Sequence, residues 1–267
     1  MRQSQTLTRR HILAAMAMSA FGGVNNASVV TRAKSATFVL VHGGWHGGWT
    51  WKKVIPLLQA AGHQAFTPTL TGLGERVHLS GPQVDLNTHT QDIISMLEYE
   101  DLHDVILVGH SYGGMVISGV GEKATARLSQ LVYLDAFLPE NGKALKDYSI
   151  VTARSIEQMR AKGDEWRLPM ALTMADLGVT DPADIAWMSP RIVDQPYKTF
   201  TQPVELPKDA AKKLRRTYIQ TSKRPSFNEA AERARKQGFH YYDLFSGGHA
   251  AMVTKPQELV KILLELV

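Results

Sequence analysis

The stretch Val105-Ile-Leu-Val-Gly-His-Ser-Tyr-Gly-Gly-Met115 limits what this chain can fold into more than any other. Its first four residues are apolar and mostly β-branched, which reads as a short buried strand. Gly109-His110-Ser111-Tyr112-Gly113 then fits the pattern G-x-S-x-G, and Met115 to Val120 continue as an apolar run of helical character. Strand, tight turn and helix are the context in which that pattern presents a serine hydroxyl at the top of a sheet. The flanking glycines have a physical job. The turn forces Ser111 into strained backbone geometry, and only residues without a Cβ let strand and helix approach so closely. Ser111 is therefore the candidate nucleophile.

A chain of 267 residues suits one α/β domain with room for an insertion. With no cysteine, neither a disulfide framework nor a thiolate metal site is available, and no metal or cofactor is expected. The formal charge of +5 suggests a polyanionic partner until it is located along the chain. Residues 1–36 carry Arg2, Arg9, Arg10, Arg32 and Lys34 and no acid, and the rest balances at 25 bases against 25 acids. Nucleic acid is thus not an expected partner.

The same N-terminal segment contains Thr8-Arg9-Arg10-His11-Ile12-Leu13, a twin-arginine pattern, followed by a modestly apolar run from Ile12 to Phe21. That run is too short and alanine-rich to span a bilayer stably. Ala27, Ala33 and Ala36 offer cleavage sites directly before the first expected strand. The segment resembles a Tat export signal, which implies a periplasmic or secreted mature chain beginning near Thr37, or a cytoplasmic protein if the leader does not function.

The remainder alternates strands and helices. Thr37 to Val41 reads as a buried strand that ends in the glycine-rich turn His42-Gly-Gly-Trp-His-Gly-Gly-Trp49. A helix is expected around Trp51 to Ala61, a strand near Gln64 to Thr67, and a helix capped by Asn87 or Thr88 and reaching about Tyr99. After the central serine motif come a strand at Leu131–Asp135, strands at Thr217–Thr221 and His240–Phe245 separated by a helix from Phe227 to Gln237, and a closing helix from Pro256. This rhythm predicts an α/β fold with a mostly parallel sheet covered by helices on both faces. Residues 139–212 break it, with Trp166, Trp187 and several prolines but no clear strand. They read as a lid inserted into a core of residues 37–138 and 213–267.

A serine hydroxyl is a weak nucleophile and needs a base that is itself oriented by a third group. Ser246-Gly-Gly-His-Ala-Ala-Met252 supplies a histidine on a glycine-rich loop after the last strand, so His249 is the candidate base. His42 and His110 belong to the two glycine motifs, where a structural hydrogen bond is the simpler role.

The motifs His42-Gly-Gly-Trp-His-Gly-Gly-Trp49, Gly109-His-Ser-Tyr-Gly-Gly-Met115, Tyr133-Leu-Asp-Ala-Phe-Leu-Pro139 and Gly248-His-Ala-Ala-Met252 together resemble the α/β-hydrolase fold family. The resemblance is to the group of methyl-ester esterases and hydroxynitrile lyases, and more closely to its bacterial esterases and carbamate-cleaving hydrolases. It runs from about Thr37 to the C-terminus. It implies an oxyanion hole from the backbone N–H groups of Gly44 and Tyr112, and a serine hydrolase that acts through an acyl-enzyme. Two departures matter. Plant members carry an aspartate just after the penultimate strand, where this chain reads Gln220-Thr-Ser-Lys-Arg-Pro-Ser226 without a carboxylate. Asp135, at the tip of the strand after the serine motif, is the candidate acid instead, ahead of Glu205, Asp209, Glu229 and Asp243. The lyases also need a threonine and a lysine where this chain has Gly43 and Ala250, so cyanide chemistry is not expected. Trp45, Phe137, Trp166 and Trp187 suggest a largely apolar pocket. The expected partner is a small ester with hydrophobic or aromatic groups. A carbamate or amide substrate is the alternative, and a non-catalytic small-molecule binder is the reading from another class. A homodimer is compatible with all of these.

Overall fold

The computed structural model describes residues 35–161, 163 and 166–267. The leader expected over residues 1–36 therefore lies, except for Ser35 and Ala36, outside the described residues. Six strands form one parallel sheet: β1 (Thr37–Val41), β2 (Gln64–Phe66), β3 (Val105–His110), β4 (Leu128–Leu134), β7 (Arg215–Gln220) and β8 (His240–Asp243), in the order β2-β1-β3-β4-β7-β8. The central strands β1 and β3 carry apolar residues at successive positions because successive side chains serve different cores. Val39, Val41, Leu107 and Leu131 enter one apolar cluster, whereas Phe38, Leu40, Ile106, Val108 and Val132 enter the other. Every residue of β3 is buried.

Helices α1 (Ile55–Ala60), α2 (Leu86–Tyr99), α3 (Gly113–Lys123), α7 (Pro225–Lys236), α8 (Ala251–Thr254) and α9 (Pro256–Leu264) cover the two faces. Ile93, Leu97, Val116 and Phe227 pack into the first cluster, and Leu58, Met252 and Leu259 into the second. The cap of α2 is Asp85 rather than Asn87 or Thr88. Its carboxylate accepts the Thr88 N–H at 2.8 Å while the Thr88 hydroxyl accepts the Asp85 N–H, so Thr88 completes a capping box. The helix expected from Trp51 is a 3-10 turn over Gly48–Trp51 followed by α1.

Between β4 and β7 no described residue joins the main sheet. This stretch holds α4 (Ile150–Ala161), α5 (Pro182–Met188), α6 (Lys198–Thr201) and a short antiparallel pair that the sequence pattern does not reveal, β5 (Arg167–Leu168) with β6 (Gln195–Pro196). Two-residue strands carry too little alternation to be read from sequence.

The connection after β1 runs to one side of the sheet and that after β3 to the other. Loops at the carboxyl ends of such neighbouring strands diverge and leave a crevice, the usual ligand site of an open α/β sheet. The His42–Trp49 turn and Ser111 border that crevice.

Candidate active site

Ser111 sits between β3 and α3 with φ at 54°, in the left-handed region that a side chain other than that of glycine rarely adopts. The backbone around it holds that strain. Its N–H donates to the Leu134 carbonyl at 3.2 Å, and its own carbonyl accepts the N–H groups of Gly114 and Phe137, each at 3.1 Å. A Cβ on Gly109 would lie 2.6 Å from the Gly113 carbonyl oxygen, and one on Gly114 would lie 2.1 Å from that of Phe137. The tight packing of strand, turn and helix therefore depends on glycine at these positions. The Ser111 hydroxyl makes no hydrogen bond among the described residues, and it lines a cavity shared with His249.

His249 follows Gly248, whose φ of 61° turns the chain back toward the sheet. Its ring lies between two others. Phe227 stacks on it with centroids 4.7 Å apart and 13° between planes, and His110 lies 4.5 Å away. The His110 Nε2–H donates to the His249 carbonyl at 2.8 Å, and the Ala250 N–H donates to the Leu177 carbonyl at 2.9 Å, which fixes the loop on both sides. The His249 Nδ1–H donates to Asp135 Oδ2 at 2.8 Å. With the proton on Nδ1, Nε2 is left as the basic nitrogen.

Asp135 is completely buried and, like Ser111, has positive φ, 41°. A buried carboxylate is costly unless its lone pairs are satisfied. Here Oδ1 accepts the N–H groups of Thr221 and Ser222, each at 3.1 Å, and Oδ2 accepts the Ser222 hydroxyl at 2.6 Å besides His249. Those donors belong to the segment after β7 that lacks a carboxylate of its own. Of the weaker acid candidates, Asp209 pairs with Lys212, and Asp243 lies exposed in β8.

The glycine turn is braced by buried neutral histidines. The His42 Nδ1–H donates to the Gly43 carbonyl at 2.7 Å while its Nε2 accepts the Leu70 N–H, and the His46 Nδ1–H donates to the Gly44 carbonyl at 2.5 Å. Burial holds the imidazoles of His42 at about 3 and of His46 at about 4, and pushes His110 well below the usual range. Gln195 from β6, fully buried, accepts the Trp45 N–H through Oε1 at 2.8 Å. Among the described residues, no hydrogen bond takes the N–H of Gly44 or of Tyr112 as donor. The Tyr112 side chain points away, its hydroxyl donating to His89 Nδ1 at 2.8 Å while the His89 Nε2–H donates to the Thr71 carbonyl. A Cβ on Gly43 would come within 2.9 Å of His110 Nδ1 and 3.1 Å of the Ser111 Cβ, so the lyases' threonine has no room here.

Of the four aromatic residues named from sequence, Trp45 and Phe137 line the cavity. Trp166 and Trp187 do not, which corrects the expectation for both. Trp187 packs edge-on against Trp49 at 5.3 Å on the other core, and Trp166 lies beneath the Arg167 guanidinium. An aromatic residue in an irregular stretch is as readily used to anchor that stretch as to meet a ligand. Phe200, Phe227 and Arg224 line the cavity and carried no sequence signal. No group of three or more His, Asp or Glu side chains suited to a metal occurs among the described residues, and no helix among them is long and apolar enough to cross a membrane.

The chain belongs to the alpha/beta hydrolase family, whose model matches residues 38–262. It is similar to the carbendazim hydrolyzing esterase of Nocardioides sp. (strain SG-4G), 40% identical over 252 residues that cover 86% of this chain and 99% of that protein. It is also similar to salicylic acid-binding protein 2 of Nicotiana tabacum, 28% identical with 86% and 96% covered. The fold matches that of an extracellular alpha/beta-hydrolase from a Paenibacillus species at a TM-score of 0.73 and 21% identity, over 86% of this chain and 98% of that one. With esterases and methylesterases as its relatives, the protein is a carboxylic-ester hydrolase.

Proposed function

We propose that the protein hydrolyses esters bearing hydrophobic or aromatic groups through an acyl-enzyme on Ser111. The observation that carries this reading is the buried His249–Asp135 contact of 2.8 Å beside the cavity that Ser111 lines. In the proposed sequence His249 Nε2 takes the Ser111 proton as Oγ attacks the ester carbonyl. Asp135 fixes the imidazole tautomer and stabilises the imidazolium. The N–H groups of Gly44 and Tyr112 receive the developing oxyanion, each worth roughly a hundred- to a thousandfold in rate. Protonated His249 then passes its proton to the leaving alkoxide, and water activated by the same imidazole releases the acid. Trp45 and Phe137 favour an apolar group beside the reacting centre. Residues 139–212 act as the lid, lending Leu168 and Phe200 to the cavity wall.

A chromogenic short-chain aryl ester tests this. Wild type should turn it over, and Ser111→Ala should lose activity by several orders of magnitude with the fold intact by circular dichroism. Undiminished turnover by Ser111→Ala would overturn the reading, and no turnover by wild type would favour a binding protein. A panel that adds carbendazim and other carbamates ranks the alternative substrate class. We also propose export through the twin-arginine leader. Arg9→Lys with Arg10→Lys should hold the activity inside the cell, and unchanged export would reject that leader.

A further inference from the structure

The cavity that Ser111 lines mixes aromatic and polar residues. Trp45, Phe137 and Phe200 supply aromatic surface. The polar lining residues besides Ser111 and His249 include Ser149, Thr152 and Ser155, recurring every third residue from just before α4, with Arg224 and Ser226 at the start of α7. The Thr152 hydroxyl donates to Ser149 Oγ at 3.0 Å. The Ser226 hydroxyl donates to the Tyr148 carbonyl at 2.9 Å, which ties the first turn of α7 to the residue preceding Ser149.

Arg224 carries the formal charge of this lining. No aspartate or glutamate lines the cavity among the described residues. Arg224 is partly buried as a residue, and among the described residues its guanidinium makes one long, exposed hydrogen bond, Nη1–H to the Asp176 carbonyl at 3.4 Å. The Asp176 carboxylate accepts the Thr173 N–H at 2.8 Å and the Thr173 hydroxyl at 2.7 Å and feels the Arg224 charge without a hydrogen bond to it. A cation at the wall of a cavity without carboxylates, with most of its donors unused, is an arrangement that an incoming anion improves. The planar fork of an arginine matches a carboxylate with two parallel hydrogen bonds.

We propose that Arg224 selects esters that carry a carboxylate remote from the scissile bond. The apolar body of such a substrate lies against the aromatic residues, and its anionic group meets the guanidinium, with the Ser149 and Ser155 hydroxyls as additional donors. The selection of a substrate rests on Ser111 being the nucleophile, because that sets the scissile carbonyl at this cavity. The binding of a carboxylate does not.

The experiment compares monomethyl terephthalate with methyl benzoate, which differ by the remote carboxylate. Wild type should show kcat/KM at least about tenfold higher for the carboxylated ester, corresponding to about 1.4 kcal/mol. Arg224→Met should remove most of that ratio, chiefly through KM. Arg224→Lys should retain only part, since it keeps the charge but not the fork. Because a ratio is read, a general loss of folded protein cancels. An equal ratio in wild type and Arg224→Met overturns the proposal. Calorimetric titration of the same two esters into Ser111→Ala, with and without Arg224→Met, separates the two claims. Arg224-dependent binding of the carboxylated ester without hydrolysis by wild type would refute the acyl-enzyme reading while upholding the carboxylate site. Absence of any difference in binding refutes the site.

Discussion

The loops that follow β4 and β7 stand side by side at one rim of the sheet and divide one task between them. The first supplies a charge, Asp135. The second supplies what makes that charge tolerable: two backbone N–H groups and a hydroxyl from Thr221 and Ser222. The resemblance to plant enzymes had placed the carboxylate on the second loop. The difference teaches that the position of an acid in a chain is less constrained than its position in space. On the role proposed for Asp135, either of two adjacent strands can deliver the acid, provided that the other offers donors.

That division can be broken outright. Asp135→Ala should lower kcat on an aryl ester by about a thousand- to ten-thousandfold, the scale expected when the base loses its tautomer. Adding Ser222→Asp should recover at least about tenfold by returning a carboxylate from the second loop, since the Ser222 Oγ already lies 2.6 Å from Asp135 Oδ2. No recovery in a folded double variant would show that the loops are not interchangeable. A smaller loss is expected from Ser222→Ala, which removes one bond to a charged acceptor worth about 1.5–3 kcal/mol. It should lower kcat by roughly tenfold or more and leave KM nearly unaltered, as steady-state kinetics will read. An equal rise in KM would assign Ser222 to substrate binding instead.

The glycine turn offers the contrast of a region with no charge at all. Its buried His42 and His46, and His89 beneath Tyr112, are depressed from 6.5 to about 3, about 4 and about 4, chiefly by burial. For a base depressed in the folded state, the unfolded chain binds the extra proton first, so stability rises with pH. The contribution of these histidines is fully present above pH 6.5 and is lost as pH falls toward 4 and then 3. Each withdraws about 1.4 kcal/mol per pH unit across that interval. Thermal melts should therefore show Tm falling steeply below pH 6, and His89→Gln should blunt the slope. A flat Tm from pH 7 to 4.5 would contradict this.

Much of the fold was legible in the sequence because buried parallel strands announce themselves as apolar runs, as in β1, in Val105–Val108 of β3 and in Leu131–Leu134 of β4. Ser111, His249 and Asp135 were legible for a different reason. Ser111 and Asp135 each follow an apolar run at the tip of a strand, and His249 follows a glycine pair on the loop after the last strand. The stretch from 139 to 212 was harder to read, because apart from α4 its described elements are too short to show a period. Trp166 and Trp187 were misread as pocket residues on that account. Gln195, Ser222 and Arg224 act through geometry that only the folded chain creates, and neither spacing nor composition marks them.

The most direct test of the account is the rate and site of covalent labelling by an aryl phosphonate, followed by intact mass and peptide mapping in wild type and Asp135→Asn. One adduct per chain is expected, on Ser111, formed orders of magnitude more slowly in the variant, in which the amide still fills the space but no longer holds the imidazole in its working tautomer. Labelling of another residue, or equal rates in the two proteins, would contradict it.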